Sequence, residues 1–331
     1  MTMHKRTVAG LIIAALLGII PAAAFFYFSN RSTVSGYRQQ FRTMGTIANF
    51  TLYTANQETF TEACRLGKAE FQKVMKLANL RDPESELSKL NSQAARSPFH
   101  CSHEMWELLM RAETAWQESS GNFDITVKPL MVLWGFYRKR HKLPTDAEIK
   151  AAMKSTGFDK LQFDREKRTV KFTVPGMELD LGGIAKGYAL DRAAEKIIAS
   201  GINCGVLDLG GNLKLLPLPP PGKKFYSVGI RNPGNPAELL KTTLKLPGNS
   251  AVSTSGDYER FVTIENRRFG HIVNPHSGLP EARTAVTVTT QSALDADIFS
   301  TSAYLGGEQC ANILKQRYPE SKFYFTPPDE N

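Results

Sequence analysis

The stretch Ser292-Ala-Leu-Asp-Ala-Asp-Ile-Phe-Ser-Thr-Ser-Ala-Tyr-Leu-Gly306 is the segment richest in side chains able to do chemistry. On a helix, Asp297 and Thr301 stand four residues apart and share a face. A carboxylate offered together with a hydroxyl is a pair of hard oxygen donors, suited to Mg²⁺ rather than to zinc or copper. The same residues have a plainer use: Asp295 and Asp297 near a helix N-terminus complement the helix dipole, and on spacing alone that use is the commoner one. A second segment, Asp180-Leu-Gly-Gly-Ile-Ala-Lys-Gly-Tyr188, has the shape of a strand, a glycine turn and a helix start. Backbone amides in such a turn hold phosphate oxygens, and Lys186 adds positive charge. It is neither a Walker loop nor a GxGxxG fingerprint, and an ordinary tight connection reads the same way. Asp208-Leu-Gly-Gly211 repeats the pattern, there with a structural role favoured. His271 and His276 flank a proline turn, where a proton acceptor can be displayed; a structural hydrogen bond is the competing role. Gly121-Asn-Phe-Asp124 sets an amide, an aromatic ring and a carboxylate at a helix-ending turn. Ser253-Thr-Ser-Gly256 reads as a small polar turn able to line a phosphate site.

These segments need a frame. Thr46 to Tyr53 reads as a strand, and Phe60, Cys64, Gly67, Phe71, Val74 and Ala78 recur at helical spacing. A second helix carries Met105, Leu108, Leu109, Ala112 and Trp116, with Ser102 as its N-cap and Gly121 at its end. Pro129 suits the first turn of a short helix. Strands are expected at Leu161–Phe163, Thr169–Val174, Glu178–Leu181, Val206–Leu209, Phe225–Ile230, Phe261–Glu265 and Ala285–Thr289. Helices are expected after Gly183 and from Ala293 to Leu305. The proline-rich stretch Pro217–Lys224 is a surface loop. The expectation is one mixed α/β body without tandem repeats.

Ahead of that body, His4, Lys5 and Arg6 precede an apolar stretch from Val8 to Phe28. At about 1.5 Å per residue this can cross a hydrocarbon core of about 30 Å. Two readings stay open: a cleaved signal peptide with Ala22-Ala23-Ala24 at its processing site, or an uncleaved anchor, which the aromatic run Phe25–Phe28 favours. Residues 1–30 are thus a signal segment, 31–41 a linker and 42–331 the body, exported either way. Export permits disulfides among Cys64, Cys101, Cys204 and Cys310, but buried free thiols are an equal reading. Across 331 residues, 41 basic and 32 acidic side chains leave a net charge of +9. That charge alone suits nucleic acid, an anionic membrane or a phosphate-bearing ligand, but no basic helix or RNP-type motif supports nucleic acid.

Taken in order, the segments resemble the ApbE family of FAD:protein FMN transferases. The matching pieces are Met44-Gly-Thr46, Pro83-Glu-Ser-Glu-Leu-Ser-Lys-Leu-Asn91, Phe123-Asp-Ile-Thr-Val-Lys-Pro-Leu130 and Asp180-Leu-Gly-Gly-Ile-Ala-Lys-Gly-Tyr-Ala189. Val206-Leu-Asp-Leu-Gly-Gly211, Val228-Gly-Ile-Arg-Asn-Pro233, Ala251-Val-Ser-Thr-Ser-Gly256, His271-Ile-Val-Asn-Pro275 and Ala296-Asp-Ile-Phe-Ser-Thr301 follow. The resemblance implies a mixed α/β body related to the T-fold that binds FAD with Mg²⁺ beside the pyrophosphate. It implies transfer of FMN to a Thr or Ser hydroxyl of an exported flavoprotein, with release of AMP. Implied acceptors are subunits of ion-pumping quinone or ferredoxin oxidoreductases, and the implied place is the periplasmic side of a bacterial inner membrane.

Carried over by position, Met44 contacts the flavin side, and Asn122, Phe123, Asp124, Asp180, Lys186 and Ile272 line the FAD site. Asp297 and Thr301 hold the metal with Gly183 and Ser300 nearby, and His271 takes the acceptor's proton. Where the family often has Tyr or Trp, this chain has Arg81, so a stacking contact becomes a cation–π or phosphate contact. FAD hydrolysis to FMN and AMP, and flavin carriage without catalysis, are the alternative readings.

Overall fold

The computed structural model describes residues 34–233, 238–258, 260–282 and 285–326. The expected N-terminal signal segment lies outside them, and no helix among the described residues is long and apolar enough to cross a membrane. In chain order the elements begin with β1 (Ser35–Thr43), β2 (Thr46–Thr54), α1 (Gln57–Ala78), α2 (Glu86–Gln93), β3 (Phe99–His100), α3 (His103–Glu118), α4 (Lys128–Leu133) and α5 (Asp146–Lys154). Next come β4 (Leu161–Asp164), β5 (Thr169–Phe172), α6 (Ala185–Ala199), β6 (Gly205–Leu209), β7 (Asn212–Leu215), β8 (Tyr226–Arg231) and β9 (Leu239–Leu246). The last are β10 (Ala251–Gly256), β11 (Phe261–Ile264), β12 (Arg267–Gly270), β13 (Ala285–Thr290), α7 (Ala293–Arg317) and β14 (Lys322–Thr326).

A seven-stranded sheet in the order β1-β2-β6-β7-β10-β13-β14 organises the body, and each pairing along it is antiparallel. Period-two alternation sorts its side chains. Ala48, Phe50, Leu52, Leu207, Leu209, Val286 and Val288 join the main core, against which α1, α6 and α7 pack. Leu213, Leu215 and Val252 join a second cluster under the β8–β9 hairpin. Phe50 and Phe71 are fully buried and meet edge to face with centroids 5.5 Å apart. Burial of such rings contributes about 1.5–3 kcal/mol each. A third cluster, around Leu130, Trp134 and Ile149, joins α4 and α5 to the β11–β12 hairpin.

Side-chain caps start the helices where the sequence places them. Asn56 accepts from the Thr59 N–H at 2.9 Å, Ser102 from Met105 at 3.1 Å and Ser292 from Asp295 at 3.1 Å. The mixed α/β body forms as expected, with four local corrections.

The segment expected as a linker to residue 41 pairs from Ser35 onward as β1. Glu178–Leu181 is extended but joins no sheet, because the Asn91 side chain takes the ladder's place. Its Oδ1 accepts from the Leu179 N–H at 2.7 Å and its Nδ2 donates to the Leu179 carbonyl at 2.9 Å. Ser253–Gly256 is not a turn but part of β10, between β7 and β13 in the sheet. The last helix runs past Leu305 to Arg317, broken at Gly307, whose φ of 64° interrupts the helical backbone. All four cysteines are free thiols, three of them buried.

Candidate active site

Two helices that start side by side on the sheet build the site. Gly182-Gly183 turns the chain into α6, whose Ile184 cap position offers no side-chain hydrogen bond to the first turn. Asp297 of α7 fills that role: its Oδ2 accepts from the Gly187 N–H at 3.1 Å. The favour is returned, since Asp191 of α6 accepts from the Ala293 and Leu294 N–H groups at 3.0 and 2.9 Å and from the Ser292 hydroxyl. Orphan amides at both helix starts are thereby satisfied, each by the other helix. The close approach needs Gly187, where a Cβ would lie 2.2 Å from the Ala293 carbonyl oxygen.

Asp297 is 3% exposed and draws its remaining partners from three directions. Lys186 Nζ lies 3.4 Å from Oδ1, Asn212 Nδ2 donates to Oδ1 at 2.8 Å, and the Ser253 hydroxyl lies 3.4 Å away. Asn212 is itself oriented by Ser253, whose hydroxyl donates to Oδ1 of the amide at 2.9 Å. One turn on, the Ser300 and Thr301 hydroxyls donate to the Asp297 carbonyl at 3.0 and 3.2 Å. Ser300 is fully buried among Ser253 and Ser255, while Thr301 lies nearer the surface, beside Gly183. A Cβ on Gly183 would stand 3.5 Å from Thr301 Oγ1 and 3.2 Å from the Phe123 ring.

Gly183, Lys186, Asp297, Ser300 and Thr301 therefore meet, with Phe123 against them. Their donor set is all oxygen apart from Lys186, the set Mg²⁺ favours. With a single carboxylate it leaves room for the phosphates and waters that magnesium keeps as ligands. No group of three or more His, Cys, Asp or Glu side chains among the described residues forms a protein-only metal cage.

His271 lies partly buried at the rim of this cluster. Its Nδ1 is 3.1 Å from the Arg260 carbonyl, which fixes that nitrogen as the N–H and leaves Nε2 as the acceptor. Burial, with the Lys186 and Arg260 cations nearby, holds its pKa down at about 4. The ring is thus neutral at pH 7, without the near-neutral titration of an unperturbed histidine.

Asp180 accepts from the Gly182 N–H at 2.7 Å and from the Tyr137 hydroxyl. Burial, followed by the Asp180 charge, drives the Tyr137 pKa far up, so the phenol keeps its proton. Met44 holds the β1–β2 turn at φ 48° and packs on the main core. That turn neighbours Gly210, whose N–H reaches the Ile47 carbonyl, at the sheet end where Asn212 begins β7. Ile272 is buried beside His271.

Two expected ligand-lining residues have other partners, and a third stands apart. Asp124 spends its carboxylate on the Thr126 N–H and hydroxyl and on the Phe158 N–H, and burial raises its pKa. Asn122 donates to the Ser119 carbonyl at 2.7 Å and packs on Gly306. Arg81 is exposed in the α1–α2 loop, and among the described residues no contact ties it to the Asp297 cluster.

Sequence reading overlooked Asn212, Asp191, Tyr137 and Arg260. Asn212 directly follows the glycine pair Gly210-Gly211, the one signal that pointed toward it.

An antiparallel sheet bearing two mutually capped helices, with a carboxylate, a lysine and hydroxyls between them, defines a mixed α/β protein with a polar cluster at paired helix starts. The ApbE family model matches residues 44–325, so the chain belongs to the ApbE family. A relative from Klebsiella pneumoniae named FAD:protein FMN transferase is 33% identical over 244 residues, 73% of this chain and 75% of that protein. One of the same name from Vibrio cholerae is 30% identical over 68% of each chain. Among solved structures, the ApbE protein of Thermotoga maritima superposes with a TM-score of 0.80 at 27% identity, covering 88% of this chain and 94% of its own. The flavin transferase ApbE of Vibrio cholerae gives 0.73 at 26% identity, covering 88% and 97%.

Proposed function

We propose that the chain is an FAD:protein FMN transferase that uses Mg²⁺ and moves FMN from FAD onto a Thr or Ser hydroxyl of an exported flavoprotein, releasing AMP. The observation that carries the proposal is Asp297, a buried carboxylate capping α6 beside Lys186 and one helical turn from Thr301. Asp297 and Thr301, with Gly183 beside them, would hold the ion, which when bound neutralises pyrophosphate charge as the bond to AMP breaks. Lys186, with the Gly183 amide of the turn, steadies the phosphates. Ser300, buried behind Thr301, orients rather than binds. Met44 supplies apolar surface for the flavin, backed by the buried Phe123 and Ile272.

In the transfer step the acceptor oxygen bonds to the FMN phosphorus and the P–O bond to the AMP phosphate breaks. The acceptor proton passes to His271 Nε2, and AMP leaves carrying the bridging oxygen. His271 is already neutral and needs no activation. Its depressed pKa rises when the pyrophosphate brings negative charge against Lys186 and Arg260, which makes the ring a better proton acceptor in the complex than in the free protein.

The N-terminal segment would hold the body on the periplasmic side of a bacterial inner membrane, where subunits of ion-pumping quinone or ferredoxin oxidoreductases are the acceptors. Incubation with FAD, Mg²⁺ and such a subunit, read by intact mass, tests the proposal. The expected product is an FMN adduct on the acceptor, lost in Asp297→Ala and strongly slowed in His271→Ala. Free FMN without adduct makes the protein a hydrolase, and unchanged FAD makes it a carrier.

A further inference from the structure

One charged surface has no part in the scheme so far. After α4 the chain runs Arg138-Lys-Arg-His-Lys142, five basic-type residues in succession. Arg140 is committed, with Glu148 at 2.7 Å and the Lys142 carbonyl at 2.7 Å. Arg138, Lys139, His141 and Lys142 are exposed, and no carboxylate among the described residues pairs with them.

The β11–β12 hairpin stands against this loop, with the Leu143 N–H 3.4 Å from Glu265 Oε1. It adds Arg267 and Arg268, lying over the rings of Phe269 and Phe261, and Phe261 is 47% exposed. Among the described residues, Glu148, Glu265, Asp257 and Asp180 are the carboxyl-bearing residues that touch the wall, and its cations outnumber them. Between loop and hairpin lies a cavity of about 280 Å³ lined by Phe136, Tyr137, Lys139, Arg140, Val262 and Thr263.

This wall is continuous with the reacting centre. Arg260 Nη2 donates to the Phe136 carbonyl at 2.7 Å, its guanidinium lies 5.3 Å from the Tyr137 ring centroid, and its own carbonyl holds His271 Nδ1. Tyr137 in turn reaches Asp180.

We infer that the basic wall formed by the 138–142 loop and the β11–β12 hairpin docks the acceptor polypeptide through acidic side chains flanking the hydroxyl that receives FMN. The inference rests on the transfer reading above. A polypeptide fits better than a lipid surface because the wall borders His271, the group that must meet the acceptor hydroxyl, and because it is concave. A flat bilayer on this face would cover the entry to His271, whereas an extended segment can place a side chain in the cavity and its hydroxyl at the ring. Uncompensated cations at such a rim steer an acidic partner and act mainly on the second-order step.

The test uses the full chain, FAD, Mg²⁺ and, as probe, the flavin-free subunit of an ion-pumping quinone oxidoreductase, with adduct formation followed by mass against acceptor concentration. The variant Arg138→Glu/Lys139→Glu/Lys142→Glu changes exposed side chains outside the binding machinery. Its expected effect is a rise in acceptor KM of about tenfold or more, with kcat and FAD affinity unchanged. The fall of kcat/KM with added salt also flattens relative to wild type. The glutamine version, which removes charge without reversing it, gives an intermediate rise.

An unchanged acceptor KM in both variants overturns the inference, and so does a loss of FAD affinity in place of acceptor affinity. Salt-sensitive capture of wild type by vesicles of phosphatidylcholine and phosphatidylglycerol in equal parts, abolished in the variant while acceptor KM stays constant, assigns the wall to lipid instead. Wild-type protein that releases free FMN and forms no adduct removes the transfer reading and this inference with it. Adduct formation by wild type with an unaltered variant removes the inference alone.

Discussion

Replacing Gly187 by alanine sets two effects of opposite sign against each other. In an unobstructed helix interior, alanine is favoured over glycine by about 1 kcal/mol. Here the new methyl would lie 2.2 Å from the Ala293 carbonyl oxygen, 2.7 Å from the Ala293 carbonyl carbon and 2.7 Å from Leu294 Cα. All three are backbone atoms of α7, so no side-chain rotation relieves the clash. Ordinary contact begins near 3.4 Å, and the start of α7 must retreat by more than an ångström to reach it. That retreat stretches the Asp191 bonds to Ala293 and Leu294 and the Gly187 bond to Asp297, now 3.0, 2.9 and 3.1 Å, beyond hydrogen-bond range.

Overpacking of about 1–3 kcal/mol and lost caps of about 1 kcal/mol each outweigh the propensity gain, leaving a net loss of about 3 kcal/mol. For a domain of this size that lowers Tm by about 6–12 °C, read by circular dichroism or differential scanning fluorimetry. Gly201→Ala is the control: its Cβ meets nothing within 4 Å, and only the positive φ of 94° opposes it. It should cost about 1 kcal/mol. A Gly187→Ala protein as stable as wild type, or more so, would refute the packing argument.

Two further outcomes follow from the same cluster. At the proposed magnesium site, Asn212→Ala removes the 2.8 Å donor to Asp297 and should weaken Mg²⁺ binding about 10- to 100-fold in a calorimetric titration; unchanged affinity would show that the amide does not orient the carboxylate. His271 has a folded-state pKa of about 4, below its ordinary 6.5, so the unfolded chain takes up the proton first as pH falls. Its contribution is complete above pH 6.5 and is lost on the way down to 4, by no more than about 3 kcal/mol. His271→Gln should therefore flatten the decline of Tm across that window, and a parallel decline would place the ring in solvent.

What was legible in the sequence depended on how local the governing contact is. Helix α1 and strand β2 announce themselves because Phe60, Phe71, Phe50 and Leu52 repeat with the period of the element that buries them. Ser102 is read correctly as a cap because a cap's partner lies three residues away. Glu178–Leu181 is misread because its backbone is satisfied by Asn91, 88 residues upstream. Ser253 and Ser255 imitate a turn because they are polar on a buried face; their hydroxyls are matched by Asn212, Ser300 and Thr301, which no local pattern reveals. The family resemblance groups Asp297, Thr301, Lys186 and Gly183, and these four meet in the fold. It did not reveal that Asp124 serves Thr126 and Phe158, because one carboxylate looks like another until its neighbours are known.

The exchange of caps between α6 and α7 also sets a timetable. As the chain is made from its N-terminus, Gly187 emerges 110 residues ahead of the aspartate that will receive its N–H. Until Asp297 arrives, α6 begins with bare amides. A truncated product ending before the last helix therefore keeps an uncapped α6 start and lacks the contact that ties the two ends of the body together.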